Sequence, residues 1–107
     1  MGLTDTGSRP VLAGRELRHA IREVVQRHLD LAQYELVIFG SEASGSADRR
    51  SDIDVGILGS GPVPGQRLQA IREDLDTLRT LRAFDLVDLQ SVDESFKEHA
   101  LAHAERL

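Results

Sequence analysis

Three short runs of β-forming residues divide this chain, and the helical patterns between them limit it to a small sheet interleaved with helices. The first run, YELVIF at 34–39, is almost continuously apolar and stops at Gly40, the mark of a buried strand. The second, DIDVGIL at 52–58, alternates Ile53, Val55 and Ile57 with Asp52, Asp54 and Gly56, so one face is apolar and the other carries carboxylates. The third is FDLVDL at 84–89, with two acidic interruptions. Leu17, Ala20, Ile21, Val24, Val25 and Leu29 recur at helical spacing and predict a helix over about 10–30. Leu68, Ile71, Leu75, Leu78 and Leu81 predict another, which starts after a Gly/Pro loop at 59–65 and runs to about 81. A closing helix is expected over 93–105 behind an acidic cap, and a short one over 42–47 after the turn that follows Gly40. The order α, β, short α, β, α, β, α describes one α/β or α+β unit without repeats.

At 107 residues the chain has room for one domain, expected over 10–107 behind a flexible lead-in at 1–9, and none for a separate acceptor-binding domain. No apolar stretch approaches the roughly 20 residues that span a bilayer, and the first residues lack the apolar segment of a secretion signal. A cytoplasmic location is the expectation. With no cysteine, thiolate chemistry, disulfides and Cys-zinc sites are excluded, leaving carboxylates, hydroxyls and histidines. A net charge of -5, with Lys97 the one lysine, argues against long nucleic acid as a ligand, because non-specific binding needs clustered cations.

Asp52 and Asp54 lie two apart on a strand and so share a face, where their like charges repel unless a cation lies between them. Hard divalent ions such as magnesium prefer oxygen ligands, and a pair of them can stabilise both the attacking and the leaving oxygen of a nucleotidyl transfer. Upstream, Gly40-Ser41 follows a strand and Gly45 follows shortly after, a turn able to offer backbone N–H groups and a hydroxyl to phosphate oxygens. An isolated Asp-Ile-Asp is the solvent face of an ordinary strand. Gly-Ser, a spacer, Gly45 and then Ser51-Asp52-Ile53-Asp54 in one strand-loop-strand is a more specific pattern.

On IFGSEASGSADRRSDIDVGIL (38–58) and FDLVDL (84–89), the chain resembles the minimal nucleotidyltransferases, or MNT proteins, of the DNA polymerase β nucleotidyltransferase superfamily. The resemblance implies a small mixed sheet packed with helices, the palm-like nucleotidyltransferase fold. It implies that Asp52 and Asp54 hold two magnesium ions and that a third carboxylate, Asp85, ligates one of them and helps deprotonate the acceptor. Gly40, Ser41, Gly45 and Ser51 would meet the nucleotide, with ATP as the substrate. Asp88, three residues on, faces the other side of a regular strand and is read as an exposed or edge carboxylate. Similar proteins pair with small helical HEPN proteins, and some are antitoxins that adenylylate a HEPN ribonuclease, so a HEPN-type partner and a homo- or hetero-oligomer are implied. Many members carry Arg where this chain has Glu42 and Ser44, and Arg49 and Arg50 are the nearby cations. That departure favours one alternative to protein adenylylation, an antitoxin that acts by occlusion without transfer; a second alternative is a transferase for small molecules such as antibiotics, as larger relatives are.

His99 and His103 stand four apart on the closing helix, a spacing that can place two imidazoles on one metal, but no third ligand accompanies them and they are read as surface residues. His19 and His28 have no partner signature. Tyr34, Phe39, Phe84 and Phe96 are expected in the core.

Overall fold

The computed structural model describes residues 12, 14–40, 52–80 and 82–107. Among them, three helices and four strands follow the order α1 (Gly14–Gln26), β1 (Tyr34–Phe39), β2 (Ile53–Gly59), α2 (Gly65–Leu75), β3 (Phe84–Asp88), α3 (Glu94–Leu101) and β4 (Glu105–Arg106). The lead-in at 1–9 and the short helix expected over 42–47 lie outside the described residues.

The sheet is mixed, in the order β3-β2-β1-β4. β1 and β2 are antiparallel, with Tyr34 opposite Gly59 and Phe39 opposite Asp54. β2 and β3 are parallel, from Ile53 beside Phe84 to Ile57 beside Asp88, and α2 makes the crossover that parallel neighbours require. One face carries Leu36, Ile38, Ile53, Val55, Ile57 and Leu86 against Leu17, Ile21, Val24 and Val25 of α1 and Ile71 and Leu75 of α2. On the other face Val37, Phe39 and Leu89 pack with Ala100 of α3. Helices thus cover both sides of β1, which is why Leu36–Phe39 is apolar without alternation. β2 does alternate in sequence: on the α3 face Asp54 is half-exposed, whereas Gly56 is buried under Leu89 and Val37. Gly56 is needed there: a Cβ would stand 2.7 Å from Leu89 Cδ1 and 3.0 Å from Val37 Cγ2.

Both long helices end earlier than their apolar patterns suggest. α1 stops at Gln26 rather than near 30, and Leu29 stays buried in a turn organised by Asp30. The Asp30 side chain accepts from Ala32 N and its carbonyl from Gln33 N and Tyr34 N. α2 stops at Leu75, where Thr77 bonds back to the Asp74 carbonyl through both its N–H and its hydroxyl. In both places short polar side chains and tight turns compete with the helix for backbone groups. The residue expected to end α2, at 81, lies outside the described set.

The closing helix is shorter for a different reason. Asp93 caps α3 as expected, accepting from Phe96 N at 2.8 Å. The helix ends at Leu101 because residues 105–107 leave it to pair with the free edge of β1: Val37 with Arg106, Ile38 with Glu105, and Leu107 N donating to Leu36 O. Glu105 there accepts both Arg18 Nε at 2.7 Å and an Arg18 terminal nitrogen at 2.9 Å, and Arg106 meets Glu35 at 3.2 Å. A two-residue strand has no period to read, so a tertiary pairing has overridden the helical pattern.

Asp88 requires a correction. It is only 7% exposed, on the α1/α2 face, in register with Ile57. Its carboxylate accepts from Val63 N at 2.8 Å, Gln90 N at 3.0 Å and Ser91 Oγ at 3.0 Å. The loop after β2 returns over this position and buries Val63, whose N–H finds its acceptor in Asp88. Removing the acceptor strands buried donors. Asp88→Ala is expected to cost about 3 kcal/mol in urea unfolding, and Asp88→Asn, which keeps one acceptor oxygen, roughly half of that.

Candidate active site

The sheet register assembles the site. β1 ends at Phe39, whose antiparallel partner is Asp54, and Asp54 has Asp85 as its parallel neighbour on β3. Three adjacent strands therefore place Phe39, Asp54 and Asp85 in one row on the α3 face. Gly40 follows with φ +73, and a Cβ on it would run into the Asp54 carboxylate. The glycine both turns the chain and leaves room for that side chain.

α3 forms the opposite wall. Phe96, His99 and Ala100, with His103 one turn further on, make a stripe at helical spacing that looks toward the row of carboxylates. Between them lies an open cavity of about 430 Å³, lined by Phe39, Gly40, Asp54, Asp85, Phe96, His99, Ala100 and His103. Phe96 meets Phe39 edge to face, with ring centroids 6.2 Å apart and planes at 89°. Phe96 is not a core residue: at 43% exposure it belongs to the cavity wall, whereas Phe39 is buried and Tyr34 and Phe84 pack against the core.

The electrostatics are those of crowded like charges. Burial pushes the Asp54 carboxyl above its ordinary value, and the charges of Asp85 and then Asp52 push it further in the same direction. A cation between these groups would act in the opposite direction, favouring the charged carboxylate. Asp52 is exposed and stands immediately before β2, within electrostatic reach of Asp54 but not on the cavity wall. Among the described residues no three acidic or imidazole side chains converge into a closed cation cage. The donor set fits an ion held by one or two carboxylates that takes its remaining oxygens from water and substrate phosphates, the usual manner of magnesium.

Of the residues singled out in the sequence, Asp54, Asp85 and Gly40 come together and Asp52 borders them. Ser41, Gly45 and Ser51, with Glu42, Ser44, Arg49 and Arg50, lie outside the described residues. The α3 wall was not anticipated. Its signal was the stripe Phe96, His99, Ala100, His103, which in sequence looks like any half-exposed helical face. The two histidines are exposed as expected, but toward the cavity.

A mixed sheet with carboxylates on adjacent strands beside a glycine turn defines the class of the nucleotidyltransferase fold. The model of the family described as polymerase beta, nucleotidyltransferase matches residues 19–107, and the chain belongs to that family. No curated protein matches the sequence significantly. Among solved structures, the chain is similar to a toxin–antitoxin with AMP-PNP, at 22% identity and a TM-score of 0.63 over 82% of this chain and 69% of the other. It is also similar to a tri-AMPylated Shewanella oneidensis HEPN toxin in complex with MNT antitoxin (17%, 0.61, 84% and 67%). A third similar structure, also from Shewanella oneidensis, gives 15%, 0.68, 89% and 71%. At these identities the likeness is one of fold.

Proposed function

We propose that the chain is an MNT-type antitoxin that transfers AMP from ATP to a hydroxyl of a HEPN-type partner protein, in the cytoplasm and with magnesium. The observation that carries this reading is the meeting of Asp54 and Asp85 on one open cavity in a chain of the nucleotidyltransferase family. The AMP-PNP and AMPylated-toxin structures that share its fold support it. No described helix is long and apolar enough to cross a membrane.

In the reaction, the acceptor oxygen forms a bond to the α-phosphorus as the bond to pyrophosphate breaks. Asp85, exposed at the cavity, takes the hydroxyl proton. Asp54 and Asp85, with Asp52 beside them, would hold the metal. Bound there, magnesium supplies positive charge to the phosphoryl oxygens and to the carboxylates that crowd one another. Gly40, with no side chain, keeps the approach to Asp54 open.

A second reading, occlusion without transfer, is favoured by Glu42 and Ser44 standing where similar proteins carry arginine. One assay separates the two: the chain, magnesium, labelled ATP and the product of the neighbouring gene, followed by mass spectrometry of that partner. Transfer predicts a partner heavier by one or more AMP groups with wild type and an unchanged one with Asp52→Ala plus Asp54→Ala. A partner inhibited equally by both chains, with no label on it, sinks the transfer reading.

A further inference from the structure

The four histidines divide into two kinds. His28 Nε2 lies 2.6 Å from Asp74 Oδ2, tying the end of α1 to α2, and His19 lies 3.5 Å from Glu23 on an exposed face. His99 and His103 do neither: among the described residues they make no hydrogen bond or ion pair, and both line the cavity opposite Asp54 and Asp85. A chain that engages its other imidazoles leaves these two free, four residues apart, on the one helical stripe that faces the carboxylates.

The composition of the cavity gives that placement a consequence. Its described lining is Phe39, Gly40, Asp54, Asp85, Phe96, Ala100 and the two histidines, so the imidazoles are the only lining side chains that carry an N–H. In sequence, the segment from Gly40 to Ser51 carries Glu42 and Asp48, and its two bases, Arg49 and Arg50, come at its far end, next to Ser51 and Asp52 and not beside the Gly-Ser pair. A triphosphate brought to two carboxylates meets repulsion on that side and needs donors on the other. We infer that His99 and His103 bind the phosphate chain of the nucleotide, forming a donor wall across the cavity from the acidic row. This inference rests on the nucleotidyl-transfer reading and adds to it the residues that give the phosphates their grip.

The wall acts in binding, so its loss appears in affinity for the nucleotide and leaves the chemical step largely intact. With the full chain, magnesium and the HEPN partner, His99→Ala and His103→Ala, which remove the N–H donor, are each expected to raise the KM for ATP about tenfold or more, the effect of one hydrogen bond to a charged group, with kcat within about threefold of wild type. The double variant, His99→Ala plus His103→Ala, is expected to weaken calorimetric binding of a non-hydrolysable ATP analogue by about a hundredfold or more, at the scale of two such bonds. Its melting temperature stays near the wild-type value, since both side chains are exposed and make no hydrogen bond or ion pair among the described residues. His19→Ala, outside the cavity, leaves KM and binding unchanged. If wild type transfers AMP and the double variant binds the analogue as tightly with the same KM, the donor wall is overturned and the transfer reading stands. If wild type neither binds the analogue nor labels the partner, the transfer reading falls and takes the wall with it.

Discussion

Asp54→Asn is expected to abolish nucleotidyl transfer while making the folded chain more stable. The side chain sits at the centre of the acidic row, between Phe39 and Asp85, and its carboxyl is pushed up by burial first and by Asp85 and Asp52 after that. A group whose pKa is raised on folding binds its proton more tightly in the native state. Its stabilising contribution is therefore complete below the unfolded value of 3.8 and is lost as pH rises through the raised folded value. At neutral pH the ionised Asp54 is a burden on the fold. Asparagine keeps the shape and removes the charge, so the variant should melt a few degrees higher than wild type at pH 7, and the difference should close as the pH falls toward 3.8. Magnesium should reduce the same difference from the other side by raising the wild-type melting temperature and leaving the variant's unchanged. Transfer to the HEPN partner should drop by about a thousandfold, the loss of roughly 4 kcal/mol of metal-borne charge stabilisation. A variant that is active, or one that is less stable than wild type at every pH, would remove Asp54 from the centre of the site.

That trade of stability for chemistry was partly visible in the sequence. Period alone sets Asp54 opposite Ile53, Val55 and Ile57, which are buried to within 1%, but Asp52, expected on the same face, falls just before β2 and off the cavity wall, because the strand begins at Ile53. The pairing of Asp54 with Asp85 was not readable from either segment. It depends on the register of two parallel strands joined through α2, and only the family pattern pointed to it. Asp88 illustrates the opposite failure. Its strand position correctly placed it away from Asp85, yet whether that face was open or closed depended on where the loop around Val63 returned, which no local pattern encodes. Phe96, His99 and His103 were hidden for a related reason. A helical stripe shows which residues share a side, but not whether that side meets solvent, a core or a cavity. Glu105 and Arg106 form a strand too short to have a period, held by pairing to β1 and by Arg18 from the far end of the chain.

The sheet's two faces explain how such a small chain can carry a site of crowded carboxylates. The α1/α2 face is closed and apolar, and Asp88, the one buried acid among the described residues, is satisfied by three donors. The α3 face has the smaller cluster and leaves open the end where β1 finishes and β2 begins. Among the described residues, the buried core is concentrated on one side of the sheet, and the cavity acids Asp54 and Asp85 and the two cavity imidazoles, which make no ion pair there, lie on the other.

Gly40→Ala tests how closely that open end is tuned. Gly40 has φ +73, and the methyl group would meet Asp54 Oδ2, so the substitution combines backbone strain with a displaced carboxylate. The strain alone is about 1–2 kcal/mol for an L-residue in the left-handed region. The displacement acts on the reacting geometry, where a shift of about 1 Å can cost on the order of a hundredfold in rate. The two effects separate by comparison with Gly14→Ala. Gly14 also has positive φ, +56, but nothing lies within 4 Å of its added Cβ. Both variants should lose about 1–2 kcal/mol in denaturant unfolding. Only Gly40→Ala should lose transfer, by roughly a hundredfold, together with the magnesium-induced rise in melting temperature. Equal activity in the two variants would mean that the Asp54 carboxylate swings clear of the methyl group at no cost. The glycine at the end of β1 would then serve the turn and not the site.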